Sequence, residues 1–181
     1  QARAPDWRIH AADAYPQCLA ATAARVQLAG QHLLAERELE LAALPRDFDV
    51  VVLSHVLEHM LDPVGALRRV LALVRPGGHL VLAVPNPVRP SVVWAALLRR
   101  DYVNRGHVVA WDRAHWQNFL ERILELEVVR YGSDSVPLFP ERLKRLLPFL
   151  ELGEVGLARA FPWLSFSNLA VVRARTREGA P

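Results

Sequence analysis

FDVVVLSHVLEHMLDP, residues 48–63, carries two readings that lead to different proteins. Within it, His55-Val56-Leu57-Glu58-His59 is H-x-x-E-H, the spacing of one group of zinc peptidases. If the turn after Ser54 is helical, His55 and His59 lie at i and i+4 with Glu58 beside them, and three ligand-capable groups converge. The flanks decide against the peptidase. Its motif needs a longer helix carrying both histidines, plus a distant third ligand. Here Phe48-Asp49 leads a valine-rich apolar run that ends at Ser54. Such a run predicts a strand buried on both faces, as in a parallel sheet. Asp62-Pro63 then opens a new helix almost at once, with Asp as N-cap and Pro at the first helical position.

Beyond Pro63, Val64, Leu67, Val70, Leu71 and Val74 recur at spacings of three and four and form one apolar stripe. RPGG, 75–78, is expected to stop the helix, and HLVLAV, 79–84, to form a second buried strand closed by PNP at 85–87. Strand, helix, strand at this spacing is a right-handed βαβ unit. Upstream, RIHAA at 8–12 predicts a strand ending at Asp13, and PQCLAATAARV at 16–26 a helix begun by Pro16. Residues 30–45 fit either a short strand with a turn or a helix throughout. Downstream, helices are expected at 91–100 and 112–126, the second with Trp116, Phe119, Leu120, Ile123 and Leu124 on one face. EVVRYG at 127–132 and SFSNLAVVRAR at 165–175 read as strands around leucine-rich helical pieces at 137–163.

Alternating strands and helices predict an α/β fold with a doubly wound sheet. Ligands in such folds bind beyond the carboxyl ends of the strands. Those ends are Asp13, Ser54-His55 and Pro85-Asn86.

The totals agree. The chain has 181 residues, 52% of them hydrophobic and 23% charged, which is the make-up of one folded domain. No apolar run approaches the length of about 20 residues that a membrane span needs, and no signal-peptide pattern opens the chain. One cysteine, Cys18, cannot form an internal disulfide, which fits a reducing cytoplasm. Cys18 is expected as a small buried residue in a helix. The net charge of +3 comes from scattered arginines mixed with acids, which argues against nucleic acid as a partner.

The segment FDVVVLSHVLEHMLDPVGALRRVLALVRPGGHLVLAVPNP, 48–87, resembles the centre of the class I S-adenosylmethionine-dependent methyltransferases, of the type 11 and type 23 kind. The Phe-Asp-led strand, SHVLEH, DP, RPGG and VPNP occur in the family's order. The resemblance extends to RIHAADAYP, to GHVVAWDRAHWQNFLERILELEVV and to LSFSNLAVVRAR. It implies a Rossmann-like, doubly wound, three-layer α/β/α domain over 1–181, mostly parallel with an antiparallel last strand. It also implies a variable helical cap within 88–165 that binds the acceptor. One departure stands out. The family's first strand and Gly-rich loop belong before Asp13, yet twelve residues precede it and no G-x-G occurs in the chain. With Gln as residue 1, the expectation is a domain that lacks its N-terminal strand, either a fragment or a degenerate, non-catalytic paralogue.

The resemblance also assigns roles. S-adenosylmethionine is the implied cofactor, and a small-molecule hydroxyl or amine is the implied methyl acceptor. Asp13 is placed to accept the ribose hydroxyls, Glu38 to reach the adenine side, and Ser54 and His55 to line the cofactor. The alternative for Asp13 is to cap the following helix. His59 and His107 are candidate bases for the acceptor's proton, with packing as the alternative for His59. Some relatives, among them small-RNA 2′-O-methyltransferases and ubiquinone-pathway O-methyltransferases, hold a divalent ion at this turn. The matching positions are His55, Glu58, His59 and His107, and a metal there would lower a hydroxyl's pKa. Otherwise no metal is expected. Trp94, Tyr102, Trp111, Trp116 and Trp163 are aromatic candidates for an acceptor pocket or for the core, with Trp111 the strongest for a pocket.

Overall fold

Strand β3, Phe48–Ser54, is where the sequence predicts it, and it pairs in parallel with β4, Val74–Pro85, in a computed structural model of the chain. The structure describes residues 6–35, 41, 44–98, 104 and 106–175. They fall into two compact units, Gln1–Pro45 and Arg46–Pro181.

In the first unit, β1, His10–Asp13, pairs in parallel with β2, Gly30–Leu33, and α1, Pro16–Ala23, connects them. Residues 30–33 thus resolve the ambiguous segment as a strand at its start. Pro16 pre-sets the first turn of α1, whose N-cap is Tyr15, not Asp13. Leu19 is the buried residue of this helix, and Cys18, expected inside, is exposed. The helix is short and weakly two-sided, so neighbouring positions fall on opposite sides of its narrow contact stripe.

In the second unit four strands run in the order β3-β4-β6-β5, where β5 is Glu127–Ser133 and β6 is Ser167–Arg173. β4 is antiparallel to β6, and β6 is antiparallel to β5. So β3, β4 and β5 share one direction, and the last strand opposes them. Leu80, Leu82 and Val84 of β4 and Ala170 and Val172 of β6 are fully buried and form the centre of the sheet. β3 departs from its double-sided reading: Val50 is 53% and Val52 65% exposed. Val50 and Val52 are two residues apart and so share one face of this strand, and that face is the open one.

Helix α2, Pro63–Leu71, joins β3 to β4 with Ala66, Leu67 and Val70 buried, and Asp62 Oδ1 accepts the Gly65 amide as N-cap. The helix ends before RPGG, and those four residues already belong to β4. A register shift between Phe48 and Val50 absorbs them. Gly77 adopts φ +75°, and a Cβ on Gly78 would stand 2.9 Å from the Asp49 carbonyl oxygen, so the glycines permit the bulge.

Helix α3, Pro90–Leu97, follows β4, and α4 covers Arg113–Asn118. α4 continues as a π turn, Phe119–Ile123, closed by Leu124 N–H to Phe119 C=O. That wider turn rotates the apolar stripe. Trp116, Phe119 and Leu120 are buried, whereas Ile123 is 59% exposed. Helices α5, Glu141–Leu146, and α6, Phe149–Ala160, and a 3-10 turn, Pro162–Leu164, complete the passage to β6.

Candidate active site

The carboxyl end of β3 runs directly into the histidine motif. His55 N–H bonds the Ala83 carbonyl of β4 and so ends the ladder. His55 then takes φ +54°, a left-handed conformation that a non-glycine residue rarely adopts. The kink sends the chain into a single 3-10 turn, Leu57–His59. The two histidines are therefore not neighbours on one helix, as the peptidase pattern requires. Leu57 and Met60 anchor the turn in the core, while Glu58 is carried inward.

Glu58 is 1% exposed, and neither of its carboxylate oxygens has a hydrogen bond among the described residues. A buried carboxylate without partners is costly. Imidazoles surround it instead. His55 Nδ1 stands 3.4 Å and His59 Nε2 3.9 Å from Oε1. One ligand-capable atom each of Glu58, His59 and His107 lies within 4.8 Å of the others. The rings of His59 and His107 meet edge to face, with centroids 4.8 Å apart. His55 is turned toward β6, where its Nε2 is 3.1 Å from Ser167 Oγ.

Main-chain bonds hold this arrangement. The amides of Val108 and Val109 donate to the Glu58 carbonyl at 2.8 and 3.3 Å, which ties the later loop to the turn. His59 Nδ1 is 3.0 Å from the Gly106 carbonyl oxygen. A carbonyl only accepts, so Nδ1 carries a proton and Nε2 is the ring nitrogen on the Glu58 side. A Cβ on Gly106 would lie 3.0 Å from His59 Nδ1, so glycine allows this close approach. Burial first, and then the nearby His59, Arg89 and His55, push the His107 pKa below 6.5, against the opposing pull of Glu58. His107 is thus held neutral near pH 7.

The other expected residues are distributed as follows. Ser54 is exposed at the end of β3. Asp13, half-buried at the end of β1 in the first unit, accepts the Tyr15 amide at Oδ1, 2.8 Å. Glu38 and Tyr102 lie outside the described residues. Trp111, expected on a pocket, is instead core. It is 6% exposed, packs its ring against Trp116 and Phe119, and its carbonyl accepts from Asn168 Nδ2. Trp94 and Trp163 are more than half exposed. Sequence reasoning did not find Ser167, Phe166, Arg89 or Gly106. Phe166 packs on His55 with centroids 5.7 Å apart, and the Arg89 guanidinium lies 4.5 Å from the Phe166 ring centre. All come from distant sequence, and only the signal at Gly106, a glycine directly before His107, was available.

Known proteins share this framework. A family model described as a methyltransferase domain matches residues 3–129. The chain belongs to this family, the class I S-adenosylmethionine-dependent methyltransferases. Among individual relatives, it is 37% identical over 78 residues to the ubiquinone biosynthesis O-methyltransferase of Aeromonas salmonicida, a stretch covering 43% of this chain and 32% of that protein. The chain thus aligns with about a third of the length of the curated relatives it matches. In fold it resembles the methyltransferase solved with the Trm112 methyltransferase activator of Haloferax volcanii, with TM-score 0.60, 18% identity, and coverage of 96% of this chain and 74% of that one. It likewise resembles the S-adenosylmethionine-dependent methyltransferase of Mesorhizobium loti, with TM-score 0.55, 18% identity, and coverage of 92% and 80%. These likenesses establish a Rossmann-like α/β fold. Among the described residues, no helix is long and apolar enough to cross a membrane.

Proposed function

We propose that this protein transfers a methyl group from S-adenosylmethionine to a hydroxyl or amine of a small molecule. The observation that carries the reading is the imidazole pair, His59 and His107, beside the buried Glu58 side chain at the end of β3. Methyl transfer from a sulfonium needs positioning more than covalent help. A hydroxyl or ammonium acceptor must also lose a proton, and a neutral imidazole takes it near pH 7. In this reading His59 Nε2 and His107 serve as bases. Ser54 and His55 line the cofactor, and Asp13 and Glu38 bind its ribose and adenine. The whole of 1–181 works as one methyltransferase domain, with the acceptor side contributed from 88–165, and acts in the cytoplasm. The ubiquinone O-methyltransferase relatives favour a hydroxyl over an amine.

The test is methyl-labelled S-adenosylmethionine with a panel of phenols and amines, beside calorimetry of the cofactor. Labelled product that disappears in His59→Ala is the expected result. Cofactor binding without transfer to any acceptor favours a non-catalytic methyltransferase-like protein. No cofactor binding overturns the reading.

A second reading adds a divalent ion. The unbonded Glu58 oxygens, His59 Nε2 and His107 fit such an ion in donor type and spacing. Glu58, His59 and His107 would hold it, with His55 next to Glu58. Its contribution would be to lower the pKa of an acceptor hydroxyl. A zinc hydrolase needs both bound zinc and no cofactor binding.

A further inference from the structure

We propose that Ser167 is a positioning residue for the candidate site: its hydroxyl, on His55 Nε2, keeps His55 Nδ1 against Glu58 and so fixes the carboxyl group that faces the His59–His107 pair. This rests on the methyl-transfer reading above. Ser167 opens β6 and pairs with Pro85 at the carboxyl end of β4. The antiparallel last strand thus delivers it to the end of the sheet where ligands bind in such folds. Ser167 is 1% exposed, so bulk water does not serve its hydroxyl. Its side-chain partner among the described residues is His55 Nε2, 3.1 Å away.

The main chain of Ser167 is held by two other side chains. Its amide donates to Asp134 Oδ1 at 2.9 Å, and its carbonyl accepts from Ser165 Oγ at 2.8 Å. The hydroxyl therefore stands on a fixed backbone, and a ring bonded to it is fixed as well. His55 needs that support, because its φ of +54° is a conformation that persists only where the surroundings hold it. A half-turn of the imidazole about its Cβ–Cγ bond would put a carbon in place of Nε2 at Ser167 and a carbon in place of Nδ1 at Glu58. The Ser167 contact thus selects the orientation in which Nδ1 stands 3.4 Å from Glu58 Oε1. His59 Nε2 lies 3.9 Å from the same oxygen. A chain of contacts runs from Ser167 through His55 and Glu58 to His59, and no step in it exceeds 3.9 Å. Glu58 has no hydrogen bond to its carboxyl oxygens among the described residues, so the imidazoles around it are what orient it.

The experiment measures kcat for labelled methyl transfer at saturating S-adenosylmethionine, with the phenol or amine that the wild type methylates. Ser167→Ala removes the hydroxyl and keeps both main-chain bonds of residue 167. It should lower kcat by about 10–10²-fold, the cost of a misplaced catalytic group. Ser167→Thr should recover most of that loss. His55→Phe keeps a ring without nitrogens. In that background Ser167→Ala should cost less than about twofold, because the two residues act as one unit. A serine with a merely structural role would cost the same in both backgrounds. Full kcat in Ser167→Ala, or an equal loss with and without His55→Phe, overturns the proposal. Nuclear Overhauser transfer between the His55 and Phe166 rings, whose centroids are 5.7 Å apart, reads the ring without turnover. It should weaken in Ser167→Ala and return in Ser167→Thr, and an unchanged signal in Ser167→Ala also overturns the proposal. The two readings fail separately. No transfer by the wild type defeats the methyl-transfer reading, and the ring signal then decides whether Ser167 holds His55. Transfer at full rate by Ser167→Ala defeats the positioning role alone.

Discussion

His59 donates its Nδ1–H to the Gly106 carbonyl at 3.0 Å and thereby turns its Nε2 toward Glu58. One main-chain contact across 47 residues of sequence thus sets the tautomer of a candidate base. Removing the ring by His59→Ala should lower methyl transfer by about 10²–10⁴-fold, the usual contribution of a positioned base. Calorimetric affinity for S-adenosylmethionine should be unchanged. Full turnover by this variant would leave His59 a packing residue.

Gly106→Val tests the positioning without touching the ring itself. The new side chain collides with His59, since even its Cβ would lie 3.0 Å from Nδ1. The His59 ring should leave the Gly106 carbonyl, and its Nδ1 and Nε2 nitrogen resonances should lose the fixed Nδ1–H pattern. Activity should fall in parallel. An unaltered tautomer in nitrogen NMR would refute the assignment of its cause.

Glu58→Gln removes the carboxylate and leaves the shape. If the divalent-ion reading holds, cobalt(II) added to the wild-type protein gives visible d–d absorption, and the variant binds it at least about tenfold more weakly. Loss of catalysis in the variant with no cobalt signal in the wild type would assign Glu58 to the imidazoles alone.

The pH dependence of stability has a definite sign at His107. Its folded pKa is lowered below 6.5, chiefly by burial. Below 6.5 the unfolded chain therefore binds the proton more readily than the folded one. Stability should fall as pH drops from 6.5 through the lower folded value, and stay level with respect to this group above 6.5. Urea unfolding of wild type and His107→Asn between pH 5 and 8 checks this. A wild-type slope no steeper than that of the variant would contradict the shift.

Glu154 is the buried acid with a structural role. It is 0% exposed. Its Oε1 accepts the amides of Leu138 and Phe139 at 2.7 and 2.8 Å, and its Oε2 pairs with Lys144 Nζ at 3.1 Å. Burial opposes its ionisation, but those two amides and the ammonium outweigh it and lower the pKa. Glu154→Gln would set an amide N–H₂ against Lys144 and should cost about 2–3 kcal/mol at pH 7. Because the folded pKa is the lower one, the wild type's advantage is present above about 4.5 and disappears as pH falls through the folded value. Thermal melts at pH 7 and pH 3 would show it, and an equal difference at both would refute the ion-pair account.

Period and punctuation were sufficient for most elements, but not for RPGG, which joins β4, or for residues 30–45. The valine run at 48–54, the Asp62-Pro63 start and the apolar run at 79–84 state their structure locally, because strand propensity and helix caps depend on neighbours in sequence. The resemblance also singled out His55, Glu58 and His59, within the 40 residues at 48–87, and His107, in the looser match at 106–129. What they do to one another was not legible. The left-handed turn at His55, the inward course of Glu58 and the Gly106 bond to His59 follow from β3 meeting β4 and from the loop at 106–109 folding back. Trp111 shows the same limit from the other side: its aromatic ring fits a pocket or a core equally well by sequence. The packing of Trp116 and Phe119 decided for the core. Local rules determine which backbone forms, because they act within a turn or a pleat. Burial and the orientation of the His59 ring depend on residues tens of positions apart, and only the folded chain brings those together.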